Sequence, residues 1–287
     1  MARSLKDIRR RIGSIKKTRQ ITRAMKLVAA AKLKRATDAA VSARPYSQQL
    51  RAVLGRVASS AASSASSPLL VAHPAVKRVA LVLLTSDRGL CGGFNNVLSR
   101  RTAEWIAGQT ANGVVVELWV FGRKGQAAAN VRKWDVTRAN LDWSGPKKRT
   151  ELLDTTIAEA IDGFNANNVD EVWLGYNKFV SVLTQRPTYE RLVPVTVEGT
   201  EAGGEYEYEP SSGEILDALL PLYVRTTLLQ AFLETEAGEH ASRMTAMDSA
   251  TRNAGELIDK LTLEYNRARQ AAITKELIEI VSGAEAL

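Results

Sequence analysis

The sequence predicts an α/β domain inserted between two long helices that pair as an antiparallel coiled coil. Three observations predict this architecture: strand-like and helix-like segments alternate in mid-chain, a regular apolar seam follows them, and the two ends carry opposite charge. Residues 1–58 hold 16 Lys and Arg but two acidic residues, whereas residues 214–287 hold seven basic and 12 acidic residues. Opposite charge on the two ends suits helices that face each other.

Composition limits the class of protein. The chain has 287 residues, of which 45% are hydrophobic and 24% charged, as is typical of a folded protein. Its longest apolar run, residues 79–84, is far shorter than the roughly 20 residues that span a bilayer. The single cysteine, Cys91, excludes an intramolecular disulfide and favours a reducing compartment, and two histidines provide too few ligands for a His/Cys zinc site. We therefore expect no metal and no cofactor.

Residues 1–58 are expected to form the first long helix. Ser4 and Asp7 match a capping box at its start, and the stretch that follows residue 24 is rich in alanine. The apolar positions are first Leu5, Ile8, Ile12 and Ile15 and then, after a slip in phase, Ile21, Met25 and Val28. Pro45 is expected to kink or end the helix, because proline removes a backbone donor.

The middle of the chain changes pattern twice. Residues 59–76, which begin with a Ser/Ala-rich stretch, are expected to be a flexible connector. Residues 77–210 are expected to form the α/β domain, because strand and helix patterns alternate there. The predicted strands are residues 78–85, 114–121, 171–176 and 179–183, and the predicted helices are residues 95–108 and 148–164. This order predicts a mostly parallel sheet.

Residues 211–287 are expected to form the second long helix. Ser211 and Glu214 match another capping box, and Pro221 can kink its first turns. Ten positions spaced alternately by three and four residues then follow, and eight of them are apolar: Met244, Met247, Thr251, Ala254, Ile258, Leu261, Tyr265, Ala268, Ala272 and Lys275. Such a seam predicts a coiled coil. The first helix is the expected partner; packing on the α/β domain, or against a second copy, are the alternatives.

A glycine-rich turn over residues 85–95 follows the first strand and precedes a helix, which is where phosphates often bind. Its glycines fall at 89, 92 and 93, which is not the dinucleotide spacing, so we interpret it as a tight turn. Cys91 near a helix N-terminus resembles a nucleophile, but neither histidine is placed as its base. We expect a small buried thiol and find no catalytic site.

The basic face of the first helix has two interpretations. Clustered Lys and Arg residues are typical of nucleic-acid binders, and they equally suit acidic protein surfaces. No aromatic residue lies among these bases before Tyr46, and no known DNA- or RNA-binding motif is present. Composition alone leaves open a stand-alone basic coiled-coil protein that binds nucleic acid.

Three strings carry a family resemblance. The C-terminal YNRARQAAITKELIEIVSGAEAL (265–287), the N-terminal IRRRIGSIKKTRQITRAMKLVAAAKL (8–33) and the turn SDRGLCGGFN (86–95) resemble the gamma subunit of F-type, proton-transporting ATP synthase of the bacterial type. The three strings occur in the family's order, and they cover both terminal helices and the first strand and turn. The Ser/Ala connector and the loop over residues 142–149 resemble variable regions, so nothing is carried over to them.

The resemblance implies a long antiparallel coiled coil with a Rossmann-like α/β domain at its base. It implies a rotating central-stalk subunit that couples proton flow through the c ring to ATP synthesis on the beta subunits. The implied partners are the hexameric ring of alpha and beta subunits, the epsilon subunit and the c-subunit ring; nucleic acid is not among them. The chain itself is implied to be non-catalytic and to reach the membrane only through its partners, on the cytoplasmic face of the bacterial inner membrane.

The resemblance also implies contact residues. Met25 and Lys26 match positions that touch the beta subunits, and the C-terminal helix is implied to meet the inner loops of the alpha/beta ring. The residues implied for that second contact are Arg269, Gln270 and Thr274. Tyr206, Tyr208 and Glu209 match the contact with the c ring and epsilon. Without the resemblance, each of these would be an ordinary helix-surface or turn residue.

Overall fold

A computed structural model of the chain describes residues 4–61, 67–196, 208–209 and 211–285. The chain divides into two compact units. One, the helical unit, consists of residues 1–29 and 243–287, and the other, the sheet unit, consists of residues 30–242. The element order confirms the predicted architecture, since an α/β region lies between two long helices.

The terminal helices are α1, Leu5–Ala61, and α5, Ser212–Glu285, with 57 and 74 residues. Pro45 was expected to kink or end α1, and it does not end the helix, which runs through it. Pro45 is exposed, so water can reach the carbonyl that loses its donor. At the start of α5, the backbone N–H of Glu214 donates to the Ser211 hydroxyl at 3.3 Å, which confirms the predicted cap.

Among the described residues of the sheet unit, five strands form one sheet in the order β3-β2-β1-β4-β5. Its elements, after a short 3-10 turn at Pro68–Leu70, are β1 Arg78–Leu84, α2 Phe94–Ala111, β2 Val115–Phe121, α3 Arg123–Arg132, β3 Val136–Asn140, α4 Pro146–Asn165, β4 Glu171–Phe179 and β5 Gln185–Val193. The first four strands are parallel, and β4 and β5 are antiparallel. The prediction of a mostly parallel sheet is confirmed.

The sequence pattern misplaced the last strand. Residues 179–183 were predicted to be a strand, but β4 continues to Phe179 and the next residues form the turn of a hairpin. The backbone N–H of Val180 donates to the Thr184 carbonyl at 3.2 Å, and this bond closes the turn. Leu183 is 81% exposed at its tip, so an apolar residue there does not indicate burial. The pattern also missed α3, which is rich in alanine, and the short, half-exposed strand β3.

Both faces of the sheet are buried, which is why β1 reads as a continuous apolar run. Leu81 and Leu83 of β1 pack with Leu98 of α2 on one face. The other face is the larger core, and helices α1, α4 and α5 cover it. Its helical members are Leu54 and Val57 of α1, Leu153, Ile157, Ala160 and Phe164 of α4, and Leu216, Leu220, Val224, Leu228, Ala231 and Phe232 of α5.

One stretch of α5 is long and apolar enough to cross a membrane by composition, with a mean hydropathy of 1.2. Within the fold, 39% of this stretch is buried. Leu216, Leu220 and Val224, near the start of α5, pack in the larger core. Core helices of folded proteins commonly have such composition, and packing against the sheet accounts for these apolar residues.

Of the predicted connector, residues 62–66 lie outside the described residues, and residues 67–76 contact the sheet unit. Leu69 is buried in the larger core, and its carbonyl accepts from the backbone N–H of Val195 at 2.7 Å. His73 stacks on Phe164 with ring centroids 4.3 Å apart, and its Nδ1 lies 2.9 Å from an Asp170 carboxylate oxygen. This segment is therefore held against the sheet unit by these contacts.

Asp170 is expected to stabilise the sheet unit in a pH-dependent way. Burial would raise the pKa of its carboxyl, but hydrogen bonds from His73 and from the backbone N–H groups of Lys77 and Arg78 outweigh burial and lower the pKa below 3.8. Stability from this group is thus present above pH 3.8 and is lost as pH falls through the lowered pKa. Asp170→Asn should cost about 1–3 kcal/mol near neutral pH.

Urea unfolding of wild type and Asp170→Asn between pH 7 and pH 3 checks this, and their difference should shrink toward the acid end. Asp162→Asn on α4 is the control, because it removes a carboxylate from the helix that carries Phe164 but leaves the contact between His73 and Asp170 unchanged. A difference that stays constant across the pH range would contradict a role for the ionised carboxylate.

Candidate functional site

In the helical unit, α1 and α5 pair antiparallel, as predicted. The Thr251 hydroxyl donates to the Thr22 hydroxyl at 2.8 Å. Further along α1 and further back along α5, Lys26 Nζ lies 2.5 Å from the Asp248 carboxylate. In the opposite direction, Gly255 faces the Arg19 guanidinium. The residue number of the contact on α5 falls as the residue number on α1 rises, so the two helices run antiparallel.

The seam predicted on α5 is observed. Met247, Ala254, Ile258 and Leu261 are buried, and two other seam positions, Thr251 and Tyr265, are half-buried. Lys275, the last predicted position, is exposed. The spacing rule therefore located the buried face of this helix correctly over its paired part.

The predicted slip in the α1 seam was wrong. Ile21 and Val28 are 60% and 58% exposed, whereas Thr22 is only 9% exposed. The buried positions Ile8, Thr22 and Ala29 are separated by whole heptads, so the seam keeps one phase. The apolar pattern did not indicate Thr22, because threonine carries a polar hydroxyl. That hydroxyl is buried because it accepts a hydrogen bond from Thr251 across the helical pair.

Beyond its paired part, α5 continues over residues 266–285 as the α5 tail, which has exposed apolar side chains. Five residues of this tail are 47–68% exposed: Ile273, Leu277, Ile278, Ile280 and Val281. Sequence analysis did not single them out as a surface. The available signal was the end of the regular seam at Lys275, because the apolar residues around and beyond it lie off the face of the helix that the seam occupies.

Met25 and Lys26, two predicted contact residues, are both half-buried in the helical unit. Lys26 is already engaged within the chain by Asp248. The hydrogen bond from Lys26, together with the charges of Lys26 and Arg252, lowers the pKa of the Asp248 carboxyl below its ordinary value. The structure thus gives Lys26 an intrachain partner that the sequence did not indicate.

Arg269, Gln270 and Thr274 lie together on the α5 tail, and all three are exposed. The Thr274 hydroxyl donates to the Gln270 carbonyl at 2.9 Å, one helical turn away. The structure therefore places these three predicted contact residues on the same exposed length of helix as the apolar tail.

The third predicted contact group is described only in part. Tyr206 lies outside the described residues. Tyr208 packs against the larger core of the sheet unit, and its hydroxyl donates to the Arg56 carbonyl of α1 at 3.5 Å. Glu209 is exposed beside it. Tyr208 thus has a packing role within the chain as well as a place at its surface.

The N-terminal part of α1 presents a strongly basic surface. Its exposed bases in the helical unit are Lys6, Arg9, Arg10, Arg11, Lys16, Lys17, Arg19 and Arg23. Asp7 is the acidic residue among them, and it pairs with Arg10 at 3.2 Å. An open groove of about 560 Å³ beside these bases also includes Ile8 and Leu261. Exposed ion pairs are worth about 0–1 kcal/mol each, so this surface suits contacts that form and break easily.

The glycine-rich turn of the sheet unit is closed by its own side chains. Asn95 accepts from the Ser86 backbone N–H at 3.1 Å and donates to the Ser86 hydroxyl at 2.7 Å. Cys91 is buried, with the Asn95 amide nitrogen 3.2 Å from its sulfur. Leu90 and Gly92 take positive φ angles of 62° and 57°. This geometry supports the interpretation as a tight turn that contains a small buried thiol.

Over the residues that the structure describes, no group of three or more His, Cys, Asp or Glu side chains is placed to hold a metal ion. His73 binds Asp170, as described above, and His240 is buried on α5.

Comparisons with known proteins identify the family. A family model described as ATP synthase matches residues 4–287. The ATP synthase gamma chains of Desulforamulus reducens and Phenylobacterium zucineum are 48% and 46% identical to this chain, each over 99% of both sequences. Among solved structures, a chain from the central stalk and c ring of the Tetrahymena thermophila mitochondrial ATP synthase is similar with a TM-score of 0.59 and 25% identity. That likeness covers 80% of this chain and 99% of the Tetrahymena chain.

A chain from the Euglena gracilis mitochondrial ATP synthase, in a structure with F1 and the c ring, has a TM-score of 0.67. It covers 98% of this chain and 94% of its own length, and at 19% identity it supports the fold alone. The bacterial relatives match from end to end at close to half identity, and the family model spans nearly the whole sequence. The chain therefore belongs to the gamma-chain family of ATP synthase.

Proposed function

We propose that this chain is the rotating central-stalk subunit of a bacterial F-type ATP synthase and performs no catalysis itself. In this role it couples proton flow through the c ring to ATP synthesis on the beta subunits of the alpha/beta hexamer. The observation that carries the proposal is the helical unit, a slim antiparallel pair that continues as a single helix with exposed apolar residues. A lone helix with such a tail needs a surrounding partner that shields it from water.

The family membership supports this role, because the similar Tetrahymena chain belongs to a central stalk that was solved with its c ring. The complex is membrane-associated, and we place this chain on the cytoplasmic face of the inner membrane, attached through its partners. Within the complex, the epsilon subunit and the c ring are the partners of the sheet unit, and the alpha/beta ring is the partner of the helical unit.

The proposed contact residues are those that the family resemblance implies. Met25 and Lys26 are proposed to face the beta subunits, and the exposed residues Arg269, Gln270 and Thr274 to face the inner loops of the ring. Tyr206, Tyr208 and Glu209 are proposed to contact the c ring and epsilon. The basic face of α1 is suited to acidic ring loops, since weak ion pairs can exchange as the stalk turns.

The α5 tail provides the test of this function. Leu277→Glu combined with Ile280→Glu should weaken binding of the chain to the alpha/beta ring about tenfold or more, because charges cannot be buried cheaply in an apolar sleeve. Both side chains are exposed in the free chain, so its melting temperature should stay close to that of wild type. Affinity for the ring and ATP-driven proton pumping by the assembled enzyme are the measurements.

Val131→Glu is the matched control, because Val131 is an exposed apolar residue on α3 of the sheet unit. It should leave both affinity and pumping unchanged. If the tail variant binds and pumps as wild type does, the tail is not seated in the ring. If the chain binds duplex DNA at physiological salt and ignores the ring, the nucleic-acid alternative replaces this function.

A further inference from the structure

We infer that Glu234, Gly238 and Ser242 of α5 are positioning residues that fix this helix to the sheet unit, an inference that rests on the proposed function. We call these three residues the α5 key. The α5 key fixes the rotation of α5 about the helix axis, and it therefore carries torque between the helix and the sheet. The three residues differ in chemistry, but each contacts the β4–β5 hairpin or an element beside it.

The α5 key lies on one face of the helix. Its members are four residues apart, and residues at this spacing lie above one another on a helix. They extend over about 12 Å of the axis at 1.5 Å per residue. Every residue between 231 and 241, except half-buried Glu236, is buried, so α5 is enclosed along this length.

Glu234 is the first point of the key and is 4% exposed. One of its carboxylate oxygens accepts from the backbone N–H of Phe179, at the end of β4, at 3.3 Å. The other accepts from the side chain of Gln230 at 2.9 Å and lies 3.8 Å from the Arg44 guanidinium of α1. A buried carboxylate needs this number of partners, and they fix it to the strand end.

Gly238 is the second point, and the absence of a side chain lets the helix backbone approach Phe94 and Gln185 closely. A Cβ atom at this position would lie 3.0 Å from Phe94 Cε2 and 3.2 Å from Gln185 Cγ. Any larger residue must push these neighbours aside. Glycine within a helix costs about 1 kcal/mol relative to alanine, so a glycine here trades helix stability for a close fit with α2 and β5.

Ser242 is the third point and ties α5 to the hairpin turn. Its hydroxyl donates to the Gln185 amide oxygen at 3.0 Å. The amide nitrogen of Gln185 donates in turn to the carbonyls of Ser181 and Val182 at 3.0 and 3.1 Å. Gln185 therefore links the helix to a turn that is itself held closed by backbone bonds.

The arrangement resists rolling of the helix. A helix held by apolar packing alone can rotate slightly while side chains exchange neighbours, because such contacts have no direction. Two directional hydrogen bonds on either side of a tight glycine contact leave no rotated position in which all three fit. The same face is therefore fixed at both ends, and a twisting force on α5 passes into the sheet unit.

Torsional stiffness in the intact complex tests the key. The complex is immobilised through its alpha and beta subunits, and a bead is attached to the sheet unit through a biotin label on Val131→Cys. Val131 is 84% exposed, whereas the native Cys91 is buried and escapes the label. The measurement is the angular variance of the bead while the enzyme pauses between steps, which rises as the linkage softens.

Two variants and one control decide the outcome. Gly238→Leu displaces Phe94 and Gln185, and Ser242→Ala removes only the last hydrogen bond, so it decides the test if Gly238→Leu fails to fold. Gly108→Leu is the control, because Gly108 of α2 has open space around it. We expect the variance to rise about twofold in both key variants, since a rigid interior transmits strain only where it stays packed, and to stay unchanged in the control.

An unchanged variance in the key variants overturns the inference, as does an equal rise in Gly108→Leu, because softening would then be unspecific. These outcomes are distinct from failure of the proposed function. If the bead on the wild-type complex does not rotate when ATP is added, the rotary role is wrong, and the torque-carrying key is overturned with it.

Discussion

Replacing Gly122 with alanine should lower the free energy of unfolding of the sheet unit by about 3–5 kcal/mol, from backbone strain and overpacking together. Gly122 follows β2 with a φ of 95°, which side chains rarely adopt. A Cβ atom there would lie 2.4 Å from the carbonyl oxygen of Thr85 and 2.8 Å from its carbonyl carbon. Both neighbours are backbone atoms at the end of the central strand β1, so they cannot move aside cheaply.

Urea unfolding followed by tryptophan fluorescence is the measurement, because all five tryptophans lie in the sheet unit. Gly145→Ala is the matched control. Gly145 has a similar backbone conformation, with a φ of 118°, but open space around its Cα. Its replacement should cost about 1–3 kcal/mol from strain alone. Equal losses at the two glycines would contradict the steric contribution of Thr85.

Gly122 also shows how the carboxyl ends of the central strands are joined to the following helix. The Thr85 hydroxyl accepts from the backbone N–H of Gly125 at 2.8 Å and donates to the Phe121 carbonyl at 2.7 Å. The end of β1 and the start of α3 are therefore joined through one threonine. The sequence shows a glycine after a strand, but the reason for it is a contact 37 residues away, which no local pattern contains.

The parts that sequence analysis predicted are those with a single dominant period. The α5 seam repeats every three and four residues because one face is buried along its paired length, so counting apolar residues finds it. Strand β1 is buried on both faces, so it appears as an uninterrupted apolar run. The family resemblance added the role, which periodicity does not contain.

The parts that it missed depend on partners distant in sequence. Thr22 is buried because Thr251 meets it across the helical pair, and a rule that counts apolar residues assigns the seam to Ile21 instead. In the hairpin, Leu183 is exposed although it is apolar, since hydrogen bonds decide the shape of the turn. Similarly, the apolar residues of the α5 tail are exposed, which a rule that buries apolar residues does not predict.

Trp143 is a further case, because it lies in the loop over residues 142–149 to which the resemblance assigned nothing. Its side chain is 1% exposed, and it packs on Phe232 of α5 with ring centroids 5.1 Å apart. Phe232 in turn meets Phe121 of β2 edge-on at 5.1 Å. The loop therefore supplies the aromatic side chain that joins the sheet to α5 next to the α5 key.

Trp143→Ala should lower the free energy of unfolding of the sheet unit by about 3–5 kcal/mol, because a large buried ring is replaced by a cavity. Trp143→Phe keeps most of the ring but removes the indole N–H that donates to the Thr85 carbonyl at 2.8 Å. That variant should cost about 1–2 kcal/mol, the value of a buried hydrogen bond whose acceptor is left unsatisfied.

Fluorescence of the remaining four tryptophans reports urea unfolding of both variants. Similar losses for Ala and Phe would mean that the hydrogen bond to Thr85, rather than packing on Phe232, holds the loop. The expected order, with Ala far more damaging than Phe, instead makes packing the main link between the loop and α5. In that case Trp143→Ala should also loosen α5 near Glu234, and amide hydrogen exchange there should quicken more than in Trp143→Phe.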